Sequence, residues 1–330
     1  MKKNILVTGG AGFIGSSFVN LAINHNHQIY ILDKLTYSGN LNNLTWIDNF
    51  DIKKDFYQGD IADTKLVANI LQKHQIDWVV NFAAETHVDN SINNPKPFIN
   101  SNIVGTYSLL DSCLSYYNNL SNIQKKQFRF LHISTDEVYG ELGPSGKFTE
   151  DSNYTPNSPY SASKAASDHL VRAWHRTYGL PILITNCSNN YGPRQHTEKL
   201  IPTIITKALK NENIPIYGDG NNIRDWIYVD DHNRAVLLIL AKGKIGDTYL
   251  IGVNNEKNNN QIAHIICETL DKLSPAKNTY KNLITYVKDR KGHDRRYAID
   301  NSKITKELGF KAKYNFTKAI ETTIKWYLAQ

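Results

Sequence analysis

Ile5-Leu6-Val7-Thr8-Gly9-Gly10-Ala11-Gly12-Phe13-Ile14-Gly15 places three apolar residues before a turn rich in glycine. It reads as a short buried strand, a tight turn and the start of a helix. Gly9, Gly12 and Gly15 let the backbone turn sharply and come close to a pyrophosphate. The helix that begins at Phe13 and Ile14 offers unpaired N–H groups and the positive end of its dipole. A glycine triplet alone is weak evidence; its context is what counts. Here a second strand, Gln28 to Leu32, follows the helix and ends at Asp33. An acid in that place accepts hydrogen bonds from a ribose 2′-hydroxyl and repels a 2′-phosphate, which favours NAD over NADP. The ordinary alternative for Asp33 is a loop acid after a strand.

Further along, Asp55 to Gly59 reads as a third strand, ending at Asp60-Ile61 beside an expected adenine. Trp78 to Phe82 reads as a fourth and runs into Ala83-Ala84, small enough for a flat dinucleotide to lie on the backbone. His87 fits either a loop histidine or a substrate contact. Pro95 to Tyr117 reads as a helix carrying Asn102, and Ser115 to Lys126 as an Asn-rich loop. Phe128 to Ile133 is a strand by its aromatic and branched residues. It leads to Ser134-Thr135-Asp136-Glu137-Val138-Tyr139-Gly140, a hydroxyl and two carboxyl groups where ligands bind in an open parallel sheet. A buried carboxylate is costly unless partnered, so fold chemistry alone explains the pair poorly. A solvated turn with Asp136 as a helix cap is the plain alternative.

After a Gly/Pro loop comes Tyr160-Ser161-Ala162-Ser163-Lys164. Residues four apart share a helix face, so Lys164 can bring its ammonium to the Tyr160 hydroxyl. Nearby positive charge is what makes a phenol, normally near pKa 10, usable as a base. Pro181 to Thr185 is a further strand, reaching Asn189 and Asn190. Beyond it the strand–helix alternation is lost. The expected fold is therefore α/β: a Rossmann-type, doubly wound parallel sheet over 1–190 and a smaller mixed α/β substrate lobe over 191–330. Residues 227–250 are expected to pack back on the first part.

The chain has 330 residues, 41% hydrophobic and 21% charged, ordinary for a globular protein with a sizeable core. The opening Met-Lys-Lys-Asn-Ile-Leu-Val-Thr-Gly-Gly is too short in apolar residues for a signal peptide or a membrane span. Cys113, Cys187 and Cys267 have no metal-like spacing and read as reduced, placing the protein in the cytoplasm. No metal is expected. The net charge of +7 is spread along the chain without a long run of one sign, which favours an anionic small molecule over nucleic acid or membrane.

TGGAGFIG, DKLTYSGNLNNL from Asp33, AAETHVDNSI, STDEVYG, YSASKAASDHLVRAW, NCSNNYGPRQ, EKLIP, YGDGNNIRDWIYVDDH and DRKGHDRRYAID run almost end to end. In these the chain resembles the nucleotide-sugar dehydratases among the extended short-chain dehydrogenase/reductases. The Asp136-Glu137 pair is the narrow part of the match. Related epimerases carry small residues there, and related decarboxylases and GDP-mannose dehydratases keep the Glu alone. The resemblance implies an enzyme that oxidises dTDP-glucose at C4, removes water across C5 and C6 and reduces C6, with NAD bound throughout. Thr135, Asp136, Glu137, Tyr160 and Lys164 are the implied catalytic set. Which of the two acids donates and which abstracts is carried by the resemblance alone.

Lys34, Thr36, Thr86 and Asn190 join the implied cofactor residues. Thr86, His87, Thr135, Asn189, Lys199, Leu200, Pro215, Tyr217, Arg224, Asn259, Arg290 and His293 are the implied substrate contacts. A homodimer through helices near 95–117 and 161–178 is implied too. Thr86 replaces a usual serine, Asn186 a common arginine and Val253 a typical glycine. A UDP-glucose dehydratase, another nucleotide-sugar epimerase or decarboxylase, and a non-catalytic NAD-sensing scaffold remain as alternatives.

Overall fold

In the computed structural model, which describes residues 2–330, the chain begins with β1 (Asn4–Thr8), α1 (Phe13–Asn24) and β2 (Gln28–Asp33). A single helical turn, α2 (Ile52–Asp55), leads into β3 (Phe56–Gln58), followed by α3 (Thr64–Lys73) and β4 (Trp78–Asn81). Short helices α4 (Val88–Asn93) and α5 (Lys96–Phe98) precede a π-helical stretch, Ile99–Gly105, that passes directly into α6 (Thr106–Asn118). Next come α7 (Asn122–Gln127), β5 (Arg129–Thr135), the long α8 (Pro159–Tyr178) and β6 (Ile182–Cys187).

These strands form one parallel sheet in the order β3-β2-β1-β4-β5-β6, and β10 (described below) adds a seventh strand beside β6. Strand order reverses between β1 and β4. That is the switch point outside which ligands bind in a doubly wound sheet. Both faces are covered, so the central strands are apolar throughout: Ile5, Leu6 and Val7 are fully buried, as are Val79 and Val80. α8 owes its sharp start to Ser158, whose hydroxyl accepts from Ser161 N while the Ser161 hydroxyl accepts from Ser158 N, with Pro159 at the first helical position.

The remaining chain builds a second core. β7 (Asn189–Tyr191), α9 (Leu200–Leu209), β8 (Ile214–Tyr217) and β9 (Ile223–Tyr228) come first. α10 (Val229–Lys242) then lies against α1, and β10 (Thr248–Ile251) joins the large sheet. β11 (Glu256–Asn258) completes a three-stranded sheet with β9 and β7, while β12 (Ile284–Val287) pairs with β8. α11 (Asn259–Leu273) and α13 (Phe316–Leu328) pack Ile262, Ile266, Ile320 and Ile324 against Ile204, Ile205 and Trp226.

Two points differ from the sequence reading. Ser115 to Lys126 is not a loop: α6 continues to Asn118, and α7 begins at a capping box in which Ser121 and Gln124 satisfy each other's backbone N–H. Asn-rich composition hid that local signal. The second lobe is also not the single segment 191–330. α12 (Ser302–Leu308), between β12 and α13, returns to the first core through Ile304 and Phe310.

Candidate active site

The carboxyl ends of β1, β2, β4, β5 and β6 open onto one groove, and the loop between β7 and α9 forms its far rim. Gly9, Gly12, Phe13, Ile14 and Gly15 make its floor at the head of α1. Asp33, Lys34, Thr36, Asp60 and Ile61 line one end, and Ala83, Ala84 and Thr86 the middle. Thr135, Asp136, Glu137, Tyr160 and Lys164 converge at the other end with Asn189, Asn190 and Lys199.

The floor fits a dinucleotide. Gly9 holds φ +68°, and a Cβ on it would stand 2.7 Å from Ala83 N. A Cβ on Gly15 would stand 2.3 Å from Gly9 O, so only glycine lets the loop fold onto the helix. Gly12 caps α1 with no side chain over its first N–H groups, which leaves them to an anion. Asp33 accepts from Ala11 N (2.9 Å) and Leu35 N (2.8 Å), one bond per oxygen, and keeps lone pairs for a ribose hydroxyl. Lys34 pairs with Asp60 at 2.7 Å and ties the two strand ends at that side of the groove. Gly15→Ala is expected to lose bound cofactor and about 1–3 kcal/mol of stability by overpacking. Cofactor content of the purified variant and its thermal melt check this; a parental cofactor content would refute it.

β5 extends through Thr135, and Asp136 to Tyr139 form one 3₁₀ turn. Thr135, not Asp136, is its cap: the Thr135 hydroxyl accepts from Glu137 N (3.3 Å) and donates to Asp136 Oδ1 (3.3 Å). Asp136 is buried, and its Oδ2 has no partner. Burial, then the Glu137 charge, drives its pKa well above the usual carboxylate range. Burial raises Glu137 as well, but Arg290, Arg224 and Lys199 oppose it. The surroundings therefore push the two carboxyls apart, with Asp136 the more firmly protonated.

The Tyr160 phenol stands beside the Thr135 hydroxyl and is raised well above its ordinary value, by burial first and the Glu137 charge second. The Lys164 ammonium donates to Ile133 O (2.8 Å) and lies 3.3 Å from His132 Nε2. The expected contact between Lys164 and the Tyr160 hydroxyl is thus not made; the backbone carbonyl at the end of β5 claims the lysine instead. Burial brings the Lys164 pKa down to about 8.

A family model described as GDP-mannose 4,6 dehydratase matches residues 6–323. A dTDP-glucose 4,6-dehydratase of Xanthomonas campestris pv. campestris (strain B100) is 54% identical, over 98% of this chain and 92% of that protein. One from Haemophilus influenzae is 51% identical over 98% of each. This chain belongs to the dTDP-glucose 4,6-dehydratase family. Among solved structures, the family member DesIV from Streptomyces venezuelae, with NAD and TYD bound, superposes with a TM-score of 0.89. It is 43% identical and covers 99% of this chain and 97% of its own. A UDP-glucose 4-epimerase of Thermotoga maritima has the same fold at 28% identity, with a TM-score of 0.85 and coverage of 99% of each chain.

Other expected residues lie outside the groove wall. Asn102, in the π-helical stretch, is buried behind it, bonded to both backbone groups of Glu85 and to Ser163 Oγ (2.8 Å). His87 caps α4 by accepting from Asn90 N. Tyr217 OH and Arg290 both reach Asp89, at 3.1 and 3.2 Å, and His293 pairs with Asp289 at 2.6 Å. Arg224 is buried, donating to Asp294 O (2.8 Å) with its guanidinium 4.1 Å from the Tyr297 ring centre. Asn259 N donates to Asn222 O, Leu200 opens α9 behind Lys199, and Pro215 sits in β8. Arg224 and Arg290 still act on Glu137 through their charge.

Sequence reasoning missed the rim of the groove. Tyr37 OH donates to Glu198 across the opening (3.2 Å), and His196 meets the Tyr37 ring edge-on. Glu85, Ser101, Cys187, Ser188 and Gln195 also line the groove. Gln195 and Glu198 lie within or beside motifs already noted, but nothing in their spacing shows that the loop folds back over the cleft.

Proposed function

We infer that this chain converts dTDP-glucose into dTDP-4-keto-6-deoxyglucose and water, with NAD as its cofactor. The observation that carries this reading is buried Asp136 beside half-buried Glu137 in the same groove as the glycine turn and Tyr160. An oxidoreductase or epimerase needs the turn and the tyrosine. Only a dehydration needs two neighbouring carboxyls held in different protonation states.

Bound in the groove, NAD supplies the two-electron acceptor and, while oxidised, a positive ring charge that favours the Tyr160 phenolate. Tyr160 then takes the proton from the sugar 4-hydroxyl, with Thr135 holding that hydroxyl. The C4 ketone acidifies the hydrogen on C5, and Glu137, with Arg290, Arg224 and Lys199 favouring its charged form, removes it. Asp136, kept neutral by burial, gives its proton to O6 as water departs. The hydrogen and electron pair taken from C4 return at C6, where the hydroxyl has left, as Glu137 returns its proton to C5. The sugar thus ends as the 4-keto-6-deoxy form with no net redox change. The second core supplies the cations for the diphosphate: Lys199 from the groove wall, with Arg224 and Arg290 behind it acting through their charge. Buried, unpaired Cys113, Cys187 and Cys267 fit a reducing, cytoplasmic setting. No helix among the described residues is long and apolar enough to cross a membrane.

The test is incubation with dTDP-glucose and, separately, UDP-glucose, with the products weighed by mass spectrometry. A product lighter by one water from the thymidine nucleotide, formed faster than from the uridine one, is expected. An intact hexose with its 6-hydroxyl retained would overturn the reading.

The chain is further proposed to pair with a second copy through α6 and α8. Together with the π-helical stretch that leads into α6, they leave Ile99, Val104, Tyr107 and Tyr178 exposed by 43, 47, 47 and 53%, with Trp174 in edge contact with both tyrosines. Scattered apolar residues are common on surfaces, but a stripe along two packed helices is the usual form of an interface. Tyr107→Glu should shift the particle in light scattering to about half its mass, since a charge at the centre of such a patch is left unpaired. An unchanged mass would place the contact elsewhere.

A further inference from the structure

Tyr160, Lys164, Asp168 and Arg172 recur every four residues along α8 and so form one stripe, running from the groove into the interior. The first two face the reaction. Asp168 has no part in it, yet it is fully buried and sits at the centre of a polar network. Its Oδ2 accepts from Tyr154 OH (2.8 Å) and Asn186 Nδ2 (3.1 Å). The same Asn186 amide donates to Thr135 O (3.1 Å), the last carbonyl of β5 before the acid pair. Asp168 Oδ1 makes no hydrogen bond; it lies 3.5 Å from His132 Nε2, the same ring nitrogen that the Lys164 ammonium approaches at 3.3 Å and Ser167 Oγ at 3.2 Å. The His132 ring is itself held by Asn81, which is in turn held by Thr8.

We propose that Asp168 is a positioning residue for C4 oxidation: beside the Nε2 edge of His132 its charge holds the Lys164 ammonium in place, and through Asn186 it fixes the end of the strand that carries Thr135 and Asp136. One buried carboxylate thus sets two halves of the catalytic group against each other. Asn186 lies on β6 beside that carboxylate. With a neutral amide there, Lys164 and Arg172 are the cations that oppose Asp168, and the Asp168 charge acts on Lys164 undivided by a third. The groups facing Lys164 are Asp168 on α8, His132 on β5 and Cys187 on β6. Those facing Asp168 are Lys164 and Arg172 on α8, His132 on β5, Asn186 on β6, and Tyr139 and Tyr154 from the loop before α8. His132 stays neutral, its pKa driven well down by burial and by Lys164. Burial lowers Lys164, and the Asp168 carboxylate is the first influence that opposes the fall.

The proposal deepens the function inferred above and rests on it, but its first readout needs neither substrate nor turnover. In protein labelled at lysine Cε, the Lys164 carbon signal should titrate with a midpoint near 8 in the parent. Asp168→Asn should move it down by about one pH unit or more, as loss of an adjacent opposite charge does. In the loaded enzyme, the alkaline limb of the C4-oxidation rate should move down by the same interval, and lowering the pH should restore the rate. A merely structural role would lower the melting temperature and leave both midpoints in place, and that result overturns the proposal. Should the asparagine variant fail to fold, Asn186→Leu decides. It keeps the carboxylate and cuts the tie to Thr135 O, so the oxidation rate should fall about tenfold or more, as for other losses of catalytic alignment. The lysine midpoint should stay where it was. A parental rate in that variant overturns the proposal.

Discussion

Asparagine in place of Asp136 leaves the chain folded and slows the loss of water by about 10²–10⁴-fold, the size of a lost general acid. Oxidation at C4 continues, so mixing with dTDP-glucose should give a lasting absorbance from reduced cofactor with little dehydrated product. Full turnover in this variant would remove Asp136 from the reaction. The substitution is close to isosteric with the protonated acid, and the Thr135 hydroxyl can donate to the amide oxygen as it does to Oδ1. Stability should follow a definite course. Because burial raises the native pKa of Asp136, the native state prefers its proton. The associated stability is complete below the unfolded-state value of about 4 and is lost as pH rises toward the native value. Asparagine has no such loss, so the variant should gain on the parent in melts run at increasing pH.

Phenylalanine in place of Tyr160 should stop the reaction one step earlier. In the reaction inferred above Tyr160 takes the O4 proton, Glu137 acts at C5, Thr135 is a hydroxyl and Lys164 is committed to Ile133 O. The expected fall is again about 10²–10⁴-fold, but now no reduced cofactor appears on mixing. Reduction of the cofactor at a parental rate would contradict the assignment. The phenol is the edge-on neighbour of Phe98, and Phe98 and Val88 pack around it, so the added apolar character is tolerated and the loss is chemical. The two variants also separate the oxidation from the elimination, since each blocks a different one.

The parts that could be read from the sequence are those written in neighbouring residues. The Gly9 to Gly15 turn, Asp33 after its strand, and Tyr160 with Lys164 each draw their meaning from spacing along one element. So does the acid pair, since Asp136 and Glu137 follow a strand and share its carboxyl end. The fate of the Lys164 ammonium was not legible. Helical spacing shows which face a lysine shares but not that a β5 carbonyl waits within its reach. Asp168 could have been found by continuing the four-residue step from Tyr160 through Lys164. Its partners Asn186 and Tyr154 could not, because their meeting depends on how β6 and the loop before α8 fold onto that helix. Which acid of the pair is neutral is also a tertiary fact: it depends on Arg224 and Arg290, far along the chain, arriving beside Glu137.

The chain's path between its two cores has a consequence for how the protein comes apart. It leaves the large sheet after Cys187, returns at Val229, departs after Ile251, comes back with Ser302 and crosses over again before Phe316. No cut at a single peptide bond separates one core from the other, so neither is an autonomous unit. Heat should melt both in one cooperative event, and the walls of the cleft, sewn together by several strands of backbone, have little freedom to swing apart as hinged halves.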